Sequence, residues 1–190
     1  EAGVKADFFK NRMLATIALY QVYINNVAVS ANDPANPDVF VQRGEERSRG
    51  FELETQGNIT GNLALSFSYG YNLTKITQSV KPEEVGNIKE NAPRHTSNSL
   101  LKYTLNNTLR GVSVCFGHSL ASARNTPDKN LLLPGYFLMN AGLQYRWHHF
   151  NIAANLNNIT NKKYVLAAYN LLNKWPGQPR NFMIRLQYVF

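Results

Sequence analysis

One cysteine in 190 residues, Cys115, leaves no partner for an internal disulfide and no thiolate pair for a zinc site. Apolar runs are only a few residues long, far short of the roughly 18 that suggest a membrane-crossing helix. The chain opens without a basic stretch followed by an apolar one, so either a leader has been removed or the chain starts inside a longer protein. Acidic residues are few: 12 Asp and Glu stand against 20 Lys and Arg, a net charge of +8. Such a balance suits proximity to anionic lipid or a positive funnel for an anionic ligand. Mean hydropathy is −0.33, which fits a soluble protein equally well as a sheet that is apolar on one side and polar on the other.

What the chain does hold is aromatic side chains, 10 Tyr, 10 Phe and 2 Trp, set in a two-residue alternation. Successive side chains of a β-strand point to opposite faces. From Phe182 to Phe190 the even positions are large and apolar or aromatic, with Arg185 and Gln187 between them. Leu63, Leu65, Phe67, Tyr69 and Tyr71 alternate with Ala64, Ser66, Ser68, Gly70 and Asn72. Phe137, Met139, Ala141, Leu143 and Tyr145 alternate with Asn140, Gly142, Gln144 and Arg146. Phe150, Ile152, Ala154 and Leu156 oppose Asn151, Ala153, Asn155 and Asn157, and Val112, Val114 and Phe116 oppose Ser113, Cys115 and Gly117. The second strand is ambiguous, with apolar residues on both faces.

Turn residues divide the pattern into nine strands, at about 2–9, 13–25, 39–57, 62–76, 94–105, 108–121, 135–146, 150–158 and 180–190. Connections alternate short and long. The short ones lie at Lys10-Asn11-Arg12, at Asn58 to Gly61, at Asn106-Asn107 and at Trp147-His148-His149. In bacterial outer-membrane barrels short turns are periplasmic and long loops extracellular, which puts Phe190 at the periplasmic end. Aromatics should gather at both membrane interfaces. Phe8, Tyr103, Tyr145, Phe150 and Tyr188 fall near the short-turn ends, and Tyr20, Tyr23, Phe51, Tyr69, Tyr71, Phe137 and Phe182 near the long-loop ends. The expected fold is all-β, a transmembrane antiparallel barrel. An odd strand count leaves an edge that lipid cannot satisfy, so the nine strands are expected to be part of a larger barrel that does not close on itself.

Six segments resemble the C-terminal end of a TonB-dependent siderophore receptor, in order: Glu1-Ala2-Gly3-Val4-Lys5; Gly44 to Glu54, with Ser48-Arg49-Gly50-Phe51-Glu52-Leu53-Glu54; Ala92-Pro93-Arg94-His95; Leu133-Pro134-Gly135-Tyr136; Asn157 to Tyr164; and Pro176-Gly177-Gln178-Pro179-Arg180-Asn181-Phe182. Ile159-Thr160-Asn161 stands where the family usually has Leu-Phe-Asp. The resemblance implies the last nine strands of a 22-stranded barrel in the bacterial outer membrane. It also implies a plug domain and a TonB-contacting segment lying outside these residues. The expected partners are the TonB complex of the inner membrane, the barrel assembly machinery, outer-membrane lipid and a siderophore-type small molecule, with no nucleic acid. The cargo expected is a ferric siderophore. The alternatives are a sugar, a cobalamin or another metal complex on the same machinery, or a passive porin-like channel. Leu186, Tyr188 and Phe190 look like the assembly signal.

On this reading Arg47, Arg49, Glu52, Glu54, Arg146 and Arg185 face the lumen and seat the plug, and Arg180 anchors the last loop. Aromatic and cationic side chains in the long loops suit a bulky anionic or catecholate cargo: Arg124, Lys129, Tyr164, Tyr169, Lys174 and Trp175. No catalytic set, cofactor or metal site is expected. His95 near Ser97 and Ser99, or His118 beside Ser119, lacks an acidic orienter, and His148 and His149 are adjacent and cannot share a face.

Overall fold

The computed structural model describes residues 1–31, 33–42, 44–106, 109–128 and 130–190, the side chains of Val29 and Ser30 excepted. Lys129 and Asn107 therefore lie outside the described residues. Nine antiparallel strands form one meandering sheet, each hydrogen-bonded to its neighbours in sequence. They are β1 (Ala2–Phe8), β2 (Met13–Asn25), β3 (Glu45–Asn58), β4 (Leu63–Gln78), β5 (His95–Thr104), β6 (Val112–Ala121), β7 (Tyr136–Trp147), β8 (Phe150–Asn157) and β9 (Asn181–Tyr188). Among the described residues β1 pairs only with β2 and β9 only with β8, so the sheet is open at both edges.

The register gives each face its chemistry. One row of paired positions runs Met13, Gly57, Leu65, Leu101, Phe116, Ala141, Leu156, Phe182 across eight strands. It starts at the turn end of β2 and finishes at the loop end of β9, the stagger that tilted barrel strands require. The opposite face holds Ser68, Gly70, Asn98, Ser119, Gln144, Asn151 and Gln187. Two clefts lie against this polar face, one of 390 Å³ and one of 260 Å³, so it is the concave side. Ile17, Leu19, Phe51, Leu143, Ile152 and Ile184 are exposed on the convex side. A convex apolar face with a concave polar one is the partition of a lipid-facing barrel wall. The register also resolves β2: Ile17 and Leu19 join the convex face, while Ala18 and Tyr20 look inward beside Glu52 and Gly50.

Of the aromatics expected in two belts, all but one lie on the convex face. Tyr20 is the exception. Its hydroxyl lies 2.8 Å from where a Cβ on Gly50 would stand, so its ring lies across a glycine on the concave face. Two boundaries also differ. The segment expected as one strand from 39 is broken at Gly44, whose φ of +104° belongs to glycine and which approaches Gln78. Phe40–Gln42 instead pairs with Ala28–Ser30 in a loop hairpin. The turn after β5 is longer than two residues: Leu105 N–H donates to Val112 O at 2.9 Å, and Gly111 has φ +89°.

Candidate functional site

The four long loops lie together at one end of the sheet and hold one another. Asn91, in the β4–β5 loop, donates from Nδ2 to Ala168 O at 3.0 Å and accepts Ala168 N–H on Oδ1 at 3.1 Å. Its own N–H donates to Asn125 O at 2.7 Å. Lys81 reaches from the same loop to Ala31 O in the β2–β3 loop, 3.3 Å away. Arg124, in the β6–β7 loop, donates from Nη2 to the carbonyls of Val165 and Leu166, 2.5 Å from each. Leu133 and Ala168 are buried between these segments. Beneath them Lys89 Nζ meets the buried Glu46 carboxylate at 2.6 Å, fastening the β4–β5 loop to the top of β3.

Segments that stand out in the sequence explain this scaffold. Asn158 is buried, with φ +50°. Its N–H donates to Asn140 Oδ1 and its side-chain amide to the carbonyls of Lys162 and Gln178. Asn161 Oδ1 accepts Arg180 N–H at 3.0 Å, and Asn157 Nδ2 donates to Asn181 Oδ1 at 2.9 Å. Gly177 N–H donates to Tyr164 O at 2.9 Å, and the Tyr164 ring covers the space a Gly177 side chain would need. The stretch 157–164 and the stretch 176–182 are thus two halves of one clasp. Arg180 enters it through its backbone.

Two residues expected to meet a cargo are used here instead. Arg124 is 4% exposed, its guanidinium bonded to loop carbonyls and set 5.5 Å over the Tyr136 ring. Tyr164 packs on Tyr136, ring centroids 4.5 Å apart. A planar, permanently charged fork suits a buried carbonyl pair, and sequence alone does not reveal such partners. Tyr169, Lys174 and Trp175 are brought together. The hairpin of Val165–Ala168 with Lys174–Pro176 places them, with Leu172 and Asn173, around a shallow cleft of 410 Å³. Trp175 is 57% exposed there. A second cleft, of 600 Å³, lies between the β4–β5 and β6–β7 loops, lined by Glu84, Asn87, Glu90, Asn125, Thr126 and Asp128 among others. Position 129 is outside the described residues.

On the concave wall Glu52 and Glu54 share the inward register with Ala18, Thr16, Gly70 and Ser68, and both are exposed. Lys102, Arg146 and Arg185 line the 390 Å³ cleft near the turn end. Lys102 donates to Gln144 Oε1 at 2.8 Å and Arg146 to Asn151 Oδ1 at 3.3 Å. Arg47 and Arg49 do not belong to this wall. They have the opposite parity to Glu52 and Glu54, with no bulge between, and pair with Tyr23 and Gln21 on the convex face. Leu186 and Tyr188 are convex-facing, and Phe190 sits past the end of β9 with its ring edge-on to Tyr188 at 5.1 Å.

A polar trio that adjacency in sequence does not suggest lies on the convex face. Ser97 Oγ is 3.0 Å from Nε2 of His118, and Ser99 Oγ is 2.6 Å from Nδ1. Ser97 donates its own proton to Ser68 O at 3.1 Å, so Nε2–H donates and Nδ1 accepts. Phe67 and Phe137 flank the imidazole. His118 sits across from Ser99 and next to Ser97 on β5, not beside Ser119, and the three polar groups satisfy one another. His149 Nδ1, in the β7–β8 turn, lies 3.0 Å from the carbonyl oxygen of Val189 just past β9.

A family model described as TonB dependent receptor-like, beta-barrel, matches residues 1–159. The metal-pseudopaline receptor CntO of Pseudomonas aeruginosa is 30% identical over 98% of this chain, which covers 26% of that protein. The ferric-pyoverdine M114 receptor PbuA of Pseudomonas sp. strain M114 is 27% identical over 100% of the chain, covering 24% of that protein. The closed form of the ferric-catecholate import receptor Fiu from Escherichia coli K12 superposes with a TM-score of 0.78 at 22% identity, over 99% of this chain and 27% of that one. The chain thus spans about a quarter of the length of the relatives it matches.

Proposed function

Because this chain belongs to the TonB-dependent receptor-like β-barrel family, we propose that it is the loop-bearing C-terminal wall of an outer-membrane receptor that imports a metal–siderophore complex. The observation that supports this reading most is the coincidence of three features on one sheet. These are a convex apolar face with aromatics at two heights, a concave polar face, and a braced group of loops presenting Tyr169, Lys174 and Trp175 at one end. A ferric siderophore is the cargo, drawn to ring faces and cationic groups. In this reading a plug domain from elsewhere in the protein fills the lumen. Glu52 and Glu54 meet its cations, and Lys102, Arg146 and Arg185 meet its anions. Energy for release into the periplasm comes through TonB, and Leu186, Tyr188 and Phe190 present the last strand to the assembly machinery.

The decisive measurement is uptake. Deleting the gene that encodes the chain should abolish uptake of at least one radiolabelled ferric chelate, and inactivating TonB should do the same with the gene intact. If every ferric chelate still enters while uptake of a sugar is lost, the cargo assignment is wrong. If uptake persists without TonB, the protein is a passive channel.

Within the full-length receptor, replacing Lys174 and Trp175 together by Ala is expected to weaken cargo binding about tenfold, the loss of one stacked or charged contact of roughly 1–2 kcal/mol. Titration of purified receptor with the ferric chelate reads this directly. An unchanged dissociation constant would move recognition to the 600 Å³ cleft between the neighbouring loops.

A further inference from the structure

The convex face changes character above its upper aromatics. Leu19, Phe51, Tyr71 and His95 form one paired row across β2 to β5, with Phe51 and Tyr71 stacked at 5.9 Å. The next row towards the loops holds Gln21, Arg49 and Leu73, and the one after it Tyr23, Arg47 and Lys75. Two residues along a strand advance by roughly 6–7 Å. Three cations therefore stand one and two steps beyond the aromatic ledge, on the side that faces lipid rather than lumen. None of the three has an ion-pair partner among the described residues. Glu45, the carboxylate that ends this face of β3, accepts the Thr77 hydroxyl at 2.6 Å.

An aromatic belt marks the level of the headgroups, and cations just outside it sit at the depth of lipid phosphates. Arginine forks bind phosphate oxygens in pairs, and the long stems of Arg and Lys cover apolar surface while their heads reach the polar layer. We propose that Arg47, Arg49 and Lys75 form a binding site for the phosphorylated headgroup of an outer-leaflet glycolipid, its acyl chains lying down over Phe51 and Tyr71. The site rests on the outer-membrane reading above and gives the excess positive charge a specific occupant.

The full-length receptor, purified in mild detergent, is titrated with a glycolipid bearing phosphates on its sugar headgroup and with the same lipid after the phosphates are removed. The native receptor should bind the phosphorylated form about tenfold more tightly. The variant carrying Arg47→Gln, Arg49→Gln and Lys75→Gln should bind both forms alike. A second variant, with Arg47→Lys and Arg49→Lys, guards against misfolding and should keep most of the preference. A triple variant that retains the full preference overturns the site. Displacement of the lipid by an equal concentration of inorganic phosphate also overturns it, since the cations would then read a free anion. Recovery of the receptor in the outer-membrane fraction is scored separately. Its absence there refutes the reading beneath, whereas a receptor found there with no headgroup preference refutes only this site.

Discussion

Replacing Ile184 by Arg is expected to cost the assembled barrel about 2–4 kcal/mol, the penalty for a cation facing lipid near mid-membrane. Replacing its neighbour Met183 by Arg should change stability by less than about 1 kcal/mol, as surface substitutions commonly do. Both side chains are open in this sheet, 64% and 54% exposed, so neither change crowds the packing of the sheet itself. They differ only in face. Ile184 pairs with Ala154 on the convex side between Phe182 and Tyr188, whereas Met183 pairs with Asn155 on the concave side, where Arg185 is already accommodated. The measurement is the amount of folded receptor in the outer membrane together with its thermal unfolding midpoint. Equal losses in the two variants would refute the assignment of faces.

Arg124→Ala should release the loops without loosening the wall. The guanidinium supplies hydrogen bonds to the Val165 and Leu166 carbonyls, and such charge-assisted bonds contribute roughly 1.5–3 kcal/mol each. A combined loss of about 3 kcal/mol makes local opening more frequent by about a hundredfold. Amide hydrogen exchange should therefore accelerate by that factor in the Val165–Ala168 hairpin and stay unchanged in the ladder of β7 and β8. Arg124→Lys, a point charge without the fork, should fall between. Uniform acceleration across the sheet would mean that Arg124 supports the wall itself.

The strand count, order and apolar face were legible because a single physical rule, alternation every two residues, governs all nine strands. Parity carried through Gly50 separates Arg47 and Arg49 from Glu52 and Glu54, and reading the segment as one charged patch hid this. Tyr20 misled in the same way: its place in the loop-side half of β2 does not give its face, because both parities of β2 are apolar. Charge type alone did not distinguish Arg124 from Lys174, since one is spent on carbonyls 41 and 42 residues away and the other lies open in a hairpin. The Ser97–His118–Ser99 trio needed the β5–β6 register, which no sequence spacing supplies.

Asn91 grips Ala168 through both ends of one amide while its backbone holds Asn125, so three loops meet at one residue. Such a keystone makes the canopy a plate rather than a set of independent fingers. A pull on one loop strains the other two, because each is bonded to its neighbours. The same coupling shapes how recognition can diverge. Residues at the hairpin tip, such as Leu172, can vary without touching these joints, whereas a change of the Asn91 side chain removes both bonds to Ala168. On the proposed reading, new cargo specificity is then reached by redecorating the tips, with the joints kept.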